Sequence, residues 1–287
     1  MPADLSTTRG PGRAHLHAMW SRVAPSWGAH AAFIDERSGG VTAAMLEAIG
    51  PQPGERVLEL AVGPGGGPGL AAAPLVAPAG EVVLSDVAPE MVAIAADRVA
   101  ATGLGNVHTR VLDLEELDEP GASFDVVVCR EGLMLVSDPV RAATEIRRVL
   151  RPGGRAAITV WGPRERNPWL ATVFAAVSAE LGAPMPPPGV PHPFALDDAD
   201  RLAGVLTAGG LRDVAVSEVP TPYAASSVDE WWRRTAALAG PLAQRLAALP
   251  DGVEEAIVAR AAAAAEPFRT PDGLRFPGVC LLATAHC

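Results

Sequence analysis

The chain has 287 residues, 49% hydrophobic and 20% charged, a length that holds one large α/β domain or two small ones. Its 23 Lys and Arg against 33 Asp and Glu leave a net charge of −10, which disfavours broad affinity for nucleic acid phosphate or an anionic membrane. The three cysteines, Cys129, Cys280 and Cys287, have neither CxxC nor Cys/His spacing, so they support neither a disulfide framework nor a zinc site, and a cytoplasmic setting fits.

Met1 to Gly12 is polar and rich in Pro, Gly and Thr, without the apolar stretch of a signal peptide, and residues 1–14 read as a disordered tail. No window reaches the roughly 20 apolar residues of a membrane span. After the turn-forming Gly50-Pro51-Gln52-Pro53-Gly54, Arg56 to Val62 is the short apolar run of a buried parallel strand. Similar runs follow at Glu81 to Ser85, Val107 to Leu112, Phe124 to Cys129 and Arg155 to Val160. Between them, Ala88 to Thr102 and Asp138 to Leu150 place apolar residues at three and four spacing, as crossover helices do.

Beyond Trp161 the pattern loosens into the Pro-rich segment Met185 to Pro191, which fits either a stiff surface excursion or a substrate lid. Helical periodicity returns at Asp197 to Ala208, Gly209-Gly210 closes that helix, and Val214 to Val219 alternates like a strand. Trp231 to Leu249 and Val253 to Ala265 read as two helices, and Gly278 to Ala285 as a final apolar strand. Alternating strands and helices predict an α/β fold with a doubly wound, seven-stranded, mostly parallel sheet. Without an internal repeat or a clear linker, residues 15–287 read as one domain.

The main chemical signal is Glu59-Leu60-Ala61-Val62-Gly63-Pro64-Gly65-Gly66-Gly67, an acid near a strand end followed by a glycine-rich turn into a helix. Glycine lets the backbone turn sharply and lets a ligand approach without a Cβ in the way. A second acid, Asp86, ends the second strand, where a dinucleotide fold would also carry one. The dinucleotide glycine pattern fails from Gly63, which meets Pro68, and the frame Gly67, Gly69, Ala72 begins too far past the strand. A nicotinamide-dependent oxidoreductase is thereby an alternative of lower standing.

These motifs resemble the class I S-adenosylmethionine-dependent methyltransferases, in particular their UbiE-like small-molecule branch, almost end to end. Glu59, Ala61, Gly63 and Gly65 echo the family's first motif, with alanine where its first glycine is usual. The resemblance implies a Rossmann-like fold with helical caps: cap helices at 15–50, a core sheet and cofactor site at 51–162, and substrate-side insertions at 163–200 and 221–274. It implies that Gly63 and Gly65 meet the methionine and ribose parts of the cofactor and that Glu59 orients its ammonium. Asp86 would take the ribose hydroxyls, Val87 and Met91 would pack on adenine, and Asp113 with Leu114 would receive its amino group. Cys129, Arg130 and Glu131 follow the fourth strand, where family members close over the methionine moiety. S-adenosyl-L-methionine is then the cofactor, S-adenosyl-L-homocysteine the product, and no metal is expected.

Methyl transfer from a sulfonium is an in-line displacement that needs a base only when the acceptor must lose a proton. His30, His192 and Tyr223 are the candidates, while His15, His17 and His286 near the termini and His108 at a strand start are set aside. Trp20, Trp27, Phe33, Met185, Phe194, Trp231 and Trp232 are candidate acceptor walls, and their chemistry suits an apolar small molecule. The expectation is a methyltransferase acting at carbon or oxygen of such a metabolite, as a monomer or homodimer without nucleic acid or membrane partners. A protein that uses the same pocket for rearrangement, cyclisation or binding is the alternative.

Overall fold

In the computed structural model, which describes residues 12–246, 249 and 252–287, the chain opens with two cap helices, α1 (Arg13–Ala29) and α2 (Ala31–Ile49). Arg13 and Ala14 therefore belong to a helix and not to the expected tail, whose first eleven residues lie outside the described ones. The core follows as β1 (Arg56–Leu60), α3 (Pro68–Val76), β2 (Glu81–Asp86), α4 (Pro89–Thr102), β3 (Val107–Val111), β4 (Phe124–Arg130), α5 (Pro139–Val149) and β5 (Leu150–Trp161). The remainder is α6 (Pro168–Leu181), α7 (Ala199–Ala208), β6 (Arg212–Pro220), β7 (Tyr223–Ala225), α8 (Val228–Leu238), α9 (Gly240–Leu246), α10 (Val253–Ala265), β8 (Arg269–Thr270), β9 (Gly273–Phe276) and β10 (Val279–His286).

The main sheet has seven strands in the order β3-β2-β1-β4-β5-β10-β6. β10 runs antiparallel between β5 and β6, and the five strands from β3 to β5 are parallel. Strand β1 lies at the centre, with Leu58 paired to Val83 on one side and Val127 on the other. Covered on both faces, β1 and β4 need apolar side chains throughout, which is why R-V-L-E-L and F-D-V-V-V-C-R read as continuous runs. The chain order reverses across β1, and the crevice outside the carboxyl ends of β1, β2 and β4 is where open α/β sheets bind ligands.

Local chemistry fixes the crossovers. Asp138 caps α5 by accepting from the Arg141 amide at 2.9 Å, and Pro139 occupies the first turn, where its missing N–H costs nothing. Arg147 and Arg148 in the last turn oppose the helix dipole. The Pro152-Gly153-Gly154 turn survives as an irregularity at the start of β5, with Gly153 at φ +80°.

The structure departs from the sequence expectations in the insertions. Helix α6 stands where only a loosened pattern was seen, and β7, β9 and β8 form a separate three-stranded sheet with Tyr223 opposite Phe276. The helix expected over Trp231 to Leu249 is divided into α8 and α9, with residues 247 and 248 outside the described ones. The Pro-rich segment is an excursion packed on α6: the Met185 amide donates to the Ser178 hydroxyl at 2.9 Å, and Met185 and Phe194 are buried in the core. No helix of the described residues is long and apolar enough to cross a membrane.

Candidate functional site

The loop after β1 is shaped by two carboxylates that act from opposite sides. Asp86 at the end of β2 accepts from the Gly63 amide at 2.9 Å and from the Ala88 amide at 3.0 Å, so one side chain ties the glycine turn to the start of α4. Gly63 takes φ +61°, a left-handed conformation that glycine adopts without penalty. Burial pushes the Asp86 carboxyl up, opposed by these amide hydrogen bonds. Glu59 lies under the loop, 1% exposed, with Oε2 accepting from the Gly69 amide at 2.7 Å. Burial raises its carboxyl to about 7, against the pull of Arg130 and of the amides at the start of α3. A Cβ on Gly67 would stand 1.9 Å from Glu59 Oε1, so the glycines there make room for the acid.

A cleft of about 950 Å³, its solvent-open mouth included, lies above this loop. Ala61, Val62, Gly63 and Pro64 form its floor, Asp86, Val87 and Met91 one wall, and Asp113, Leu114 and Glu115 the far end. Helix α1 roofs it with Leu16, His17, Trp20 and Trp27, the last two in edge contact at 5.7 Å. The roof is latched at the far end, where the Arg13 guanidinium and His17 Nε2, at 3.2 Å, both meet the Asp113 carboxylate. The glycine turn is held from outside by Arg98, which donates to the Pro64 and Gly65 carbonyls and pairs with Asp35.

At the inner end stand Arg130, Glu131 and Gly132. Glu131 follows β4 with φ +58°, a strained conformation for a residue with a side chain, and its Oε1 accepts from Cys280 Sγ at 3.3 Å. Behind it, Arg37 of α2 is caged by rings, with Cζ 3.9 Å from the centroid of Trp169, 4.6 Å from Trp161 and 4.9 Å from Tyr223. Burial lowers its pKa while the field of Glu131 opposes that, yet Nε and Nη2 are buried with no hydrogen-bond partner. Ring faces return about 2 kcal/mol each when desolvated, against several kcal/mol for removing a cation from water.

The cleft gathers eight of the expected cofactor residues, Ala61, Gly63, Asp86, Val87, Met91, Asp113, Leu114 and Arg130. Glu59, Gly65 and Cys129 do not line it. Glu59 faces the backbone of α3; Gly65, at φ +82°, lets the loop approach Ala95, where a Cβ would stand 3.1 Å from its Cα; Cys129 is fully buried, its thiol pushed up to about 12.

Of the expected acceptor walls, Trp20 and Trp27 line the cleft and Phe33 packs on Tyr223 at 5.5 Å. Met185, Phe194, Trp231 and Trp232 are core residues instead: Phe194 meets Phe174, Trp231 donates to the Trp169 carbonyl at 2.8 Å, and Trp232 to Glu254 at 3.1 Å. The three base candidates also lie off the cleft. His30 Nδ1 is taken by the Ser26 carbonyl at 2.8 Å, His192 Nδ1 accepts from the Phe194 amide at 3.1 Å, and Tyr223 is stacked on Trp169 with burial raising its phenol. Sequence reasoning missed His17, set aside for its place near the terminus, and Arg37, which no local motif marks; it named Glu131 only within the segment after the fourth strand, without a role as base. Among the described residues no His, Cys, Asp and Glu group could hold a metal ion.

Residues 60–158 match a family described as a methyltransferase domain. Over its core the chain is similar to the class I S-adenosylmethionine-dependent methyltransferases of the UbiE type. It is 38% identical over 134 residues to the ubiquinone/menaquinone biosynthesis C-methyltransferase UbiE of Ectopseudomonas mendocina, covering 46% of this chain and 52% of that protein. With the UbiE of Vibrio campbellii the identity is 34% over 140 residues, 47% of this chain and 52% of the relative. The chain thus spans about half the length of the curated relatives it matches. Among solved structures, the YcgJ protein of Bacillus subtilis aligns with TM-score 0.60 at 20% identity, over 85% of this chain and 97% of that one. The cyclase SpnF aligns with TM-score 0.57 at 23% identity, over 97% of each chain. These two likenesses show the fold. The resemblance expected almost end to end is therefore one of fold over the whole chain and of sequence over the methyltransferase core.

Proposed function

We propose that this protein is an S-adenosylmethionine-dependent methyltransferase that acts at carbon or oxygen of a small, largely apolar acceptor. The observation that carries this reading is the cleft at the switch point, where the Asp86 carboxylate, the Gly63 turn and the apolar wall of Val87, Met91 and Leu114 stand together. That set fits a nucleoside with a polar tail: an acid for two vicinal hydroxyls, a slot for a flat base, and a floor that carries no Cβ at Gly63. The buried Trp27 Nε1, without a hydrogen-bond partner, adds a donor in the roof. The C-methyltransferases named among the relatives support the reaction class.

When bound, S-adenosylmethionine supplies an electrophilic methyl group on a sulfonium. In this reading Asp86 takes the ribose hydroxyls, Val87, Met91 and Leu114 hold adenine, and Ala61, Gly63 and Arg130 border the methionine part. Glu59 acts through the loop, fixing α3 against the turn. Trp20 and Trp27 on α1 exclude water from the reacting end, which strengthens every electrostatic contact inside. Glu131, at the inner end, is the base where the acceptor must lose a proton, in place of His30, His192 and Tyr223.

The test is incubation of the protein with S-adenosylmethionine and a panel of small apolar phenols and enols, with S-adenosylhomocysteine and methylated product followed by mass spectrometry. Stoichiometric appearance of both supports the reading. A transformed acceptor with no S-adenosylhomocysteine would replace it with a non-methylating reaction on the same fold.

A further inference from the structure

Arg37 has no use in the reading above. Its ring cage is assembled from three parts of the chain: Trp161 at the end of β5, Trp169 at the start of α6 and Tyr223 in β7. Ring faces attract the flat sides of a guanidinium and leave its in-plane N–H groups unsatisfied. Nε and Nη2 are the two unpartnered atoms, and they form one side-on edge of the fork, the edge that meets two coplanar oxygens at once. Arg13 on Asp113, Arg148 on Glu145 and Arg269 on Glu266 each set the same Nε and Nη2 edge on a carboxylate.

The cage adjoins the cleft. Ile34, one helical turn before Arg37 on α2, lines the cleft, and so does Glu131, whose field reaches the guanidinium without forming an ion pair. The hydroxyls of Tyr223 and Thr235 are close to each other and buried in the same corner, which adds polar atoms beside the guanidinium.

We propose that Arg37 is the anion anchor of the acceptor subsite, binding a planar group in which two oxygens share one negative charge, carried on a flat conjugated body. A carboxylate and a β-dicarbonyl enolate both have this chemistry. The inference rests on the methyltransferase reading for the identity of the neighbouring ligand, and on the Arg37 cage alone for the anion.

The experiment is calorimetric titration of the whole protein, with and without saturating S-adenosylhomocysteine, using benzoate and 2-acetylcyclohexane-1,3-dione, the latter an enolate at neutral pH whose acetyl and ring oxygens point the same way. Benzamide and cyclohexanone are the neutral counterparts. The proposal expects at least one anion to bind about tenfold or more tightly than its neutral counterpart, and which of the two does so identifies the oxygen pair. Arg37→Met should abolish that preference and leave S-adenosylhomocysteine binding unchanged; Arg37→Lys, which keeps the charge but not the fork, should retain only part of it. Equal binding of anion and neutral probe by the wild-type protein overturns the proposal, as does a preference that persists in either variant at full strength. Failure of S-adenosylhomocysteine to bind while the anion preference stands would remove the cofactor reading and keep the anchor.

Discussion

Replacing Glu59 by glutamine tests whether the acid beneath the glycine loop is a strained but structural group. Its carboxyl sits at about 7 in the folded protein against an ordinary value of 4.5, with burial as the leading cause. The folded state therefore holds the proton more tightly than the unfolded chain, folding takes up a proton between those two values, and stability falls as pH rises through the window, levelling off above about 7. At about 1.4 kcal/mol per unit, a rise from about pH 5.5 to about pH 8 costs the wild-type protein about 2 kcal/mol through this one group. Glu59→Gln keeps an oxygen for the Gly69 amide and removes the titration, so its stability profile should be flatter than wild type by that amount. The assay is urea unfolding of both proteins at a series of pH values. His192, held low by burial, and Asp86, held high, titrate in both proteins, so they cancel in the difference. Parallel profiles would refute the reasoning, since they would mean that Glu59 is ionised in the folded state throughout.

Other substitutions test the remaining parts. Asp86→Ala should weaken S-adenosylhomocysteine binding about tenfold to a hundredfold, the worth of one or two hydrogen bonds to a charged group, with circular dichroism unchanged; undiminished affinity would remove Asp86 from the ribose site. Gly67→Ala forces a Cβ to 1.9 Å from Glu59 Oε1 and should cost about 1–3 kcal/mol in urea unfolding, whereas Gly39→Ala, within α2 and with nothing inside 4 Å, should stabilise by up to about 1 kcal/mol. In thiol labelling at about pH 8, the partly exposed Cys287 should react first, while Cys129, buried and pushed up to about 12, should react only on unfolding. His17→Ala removes one of the two α1 side chains that meet Asp113 and should raise amide hydrogen exchange in α1 without changing exchange in β1 or β4.

The parallel core was legible because strands buried on both faces must be apolar throughout, as Arg56 to Leu60 and Phe124 to Arg130 are, and because the helices between them bury one stripe. The glycine turn and Asp86 were legible for a different reason: both lie within one strand–turn–helix unit and the strand beside it, so sequence spacing reports space. Strands of two to four residues such as β7, β8 and β9 are too short to show a period of two, and α6, buried along much of its length, has no polar face to set a stripe. Trp231 and Trp232 illustrate the limit of residue type as a guide, because a tryptophan serves a core and a pocket equally well and only its partners decide. Arg37 meets rings more than 120 positions away in Trp161 and Trp169, and more than 180 away in Tyr223, an arrangement that no local pattern contains.

The central claim is that the cleft above the β1 loop binds S-adenosylmethionine. Calorimetric titration of the purified protein with S-adenosylmethionine and S-adenosylhomocysteine, with NADH and NADPH as controls, tests it most directly. The account predicts binding of the two sulfur nucleotides at one site per chain and none of the nicotinamides. Binding of NADH or NADPH in their place, or of neither class, would contradict it.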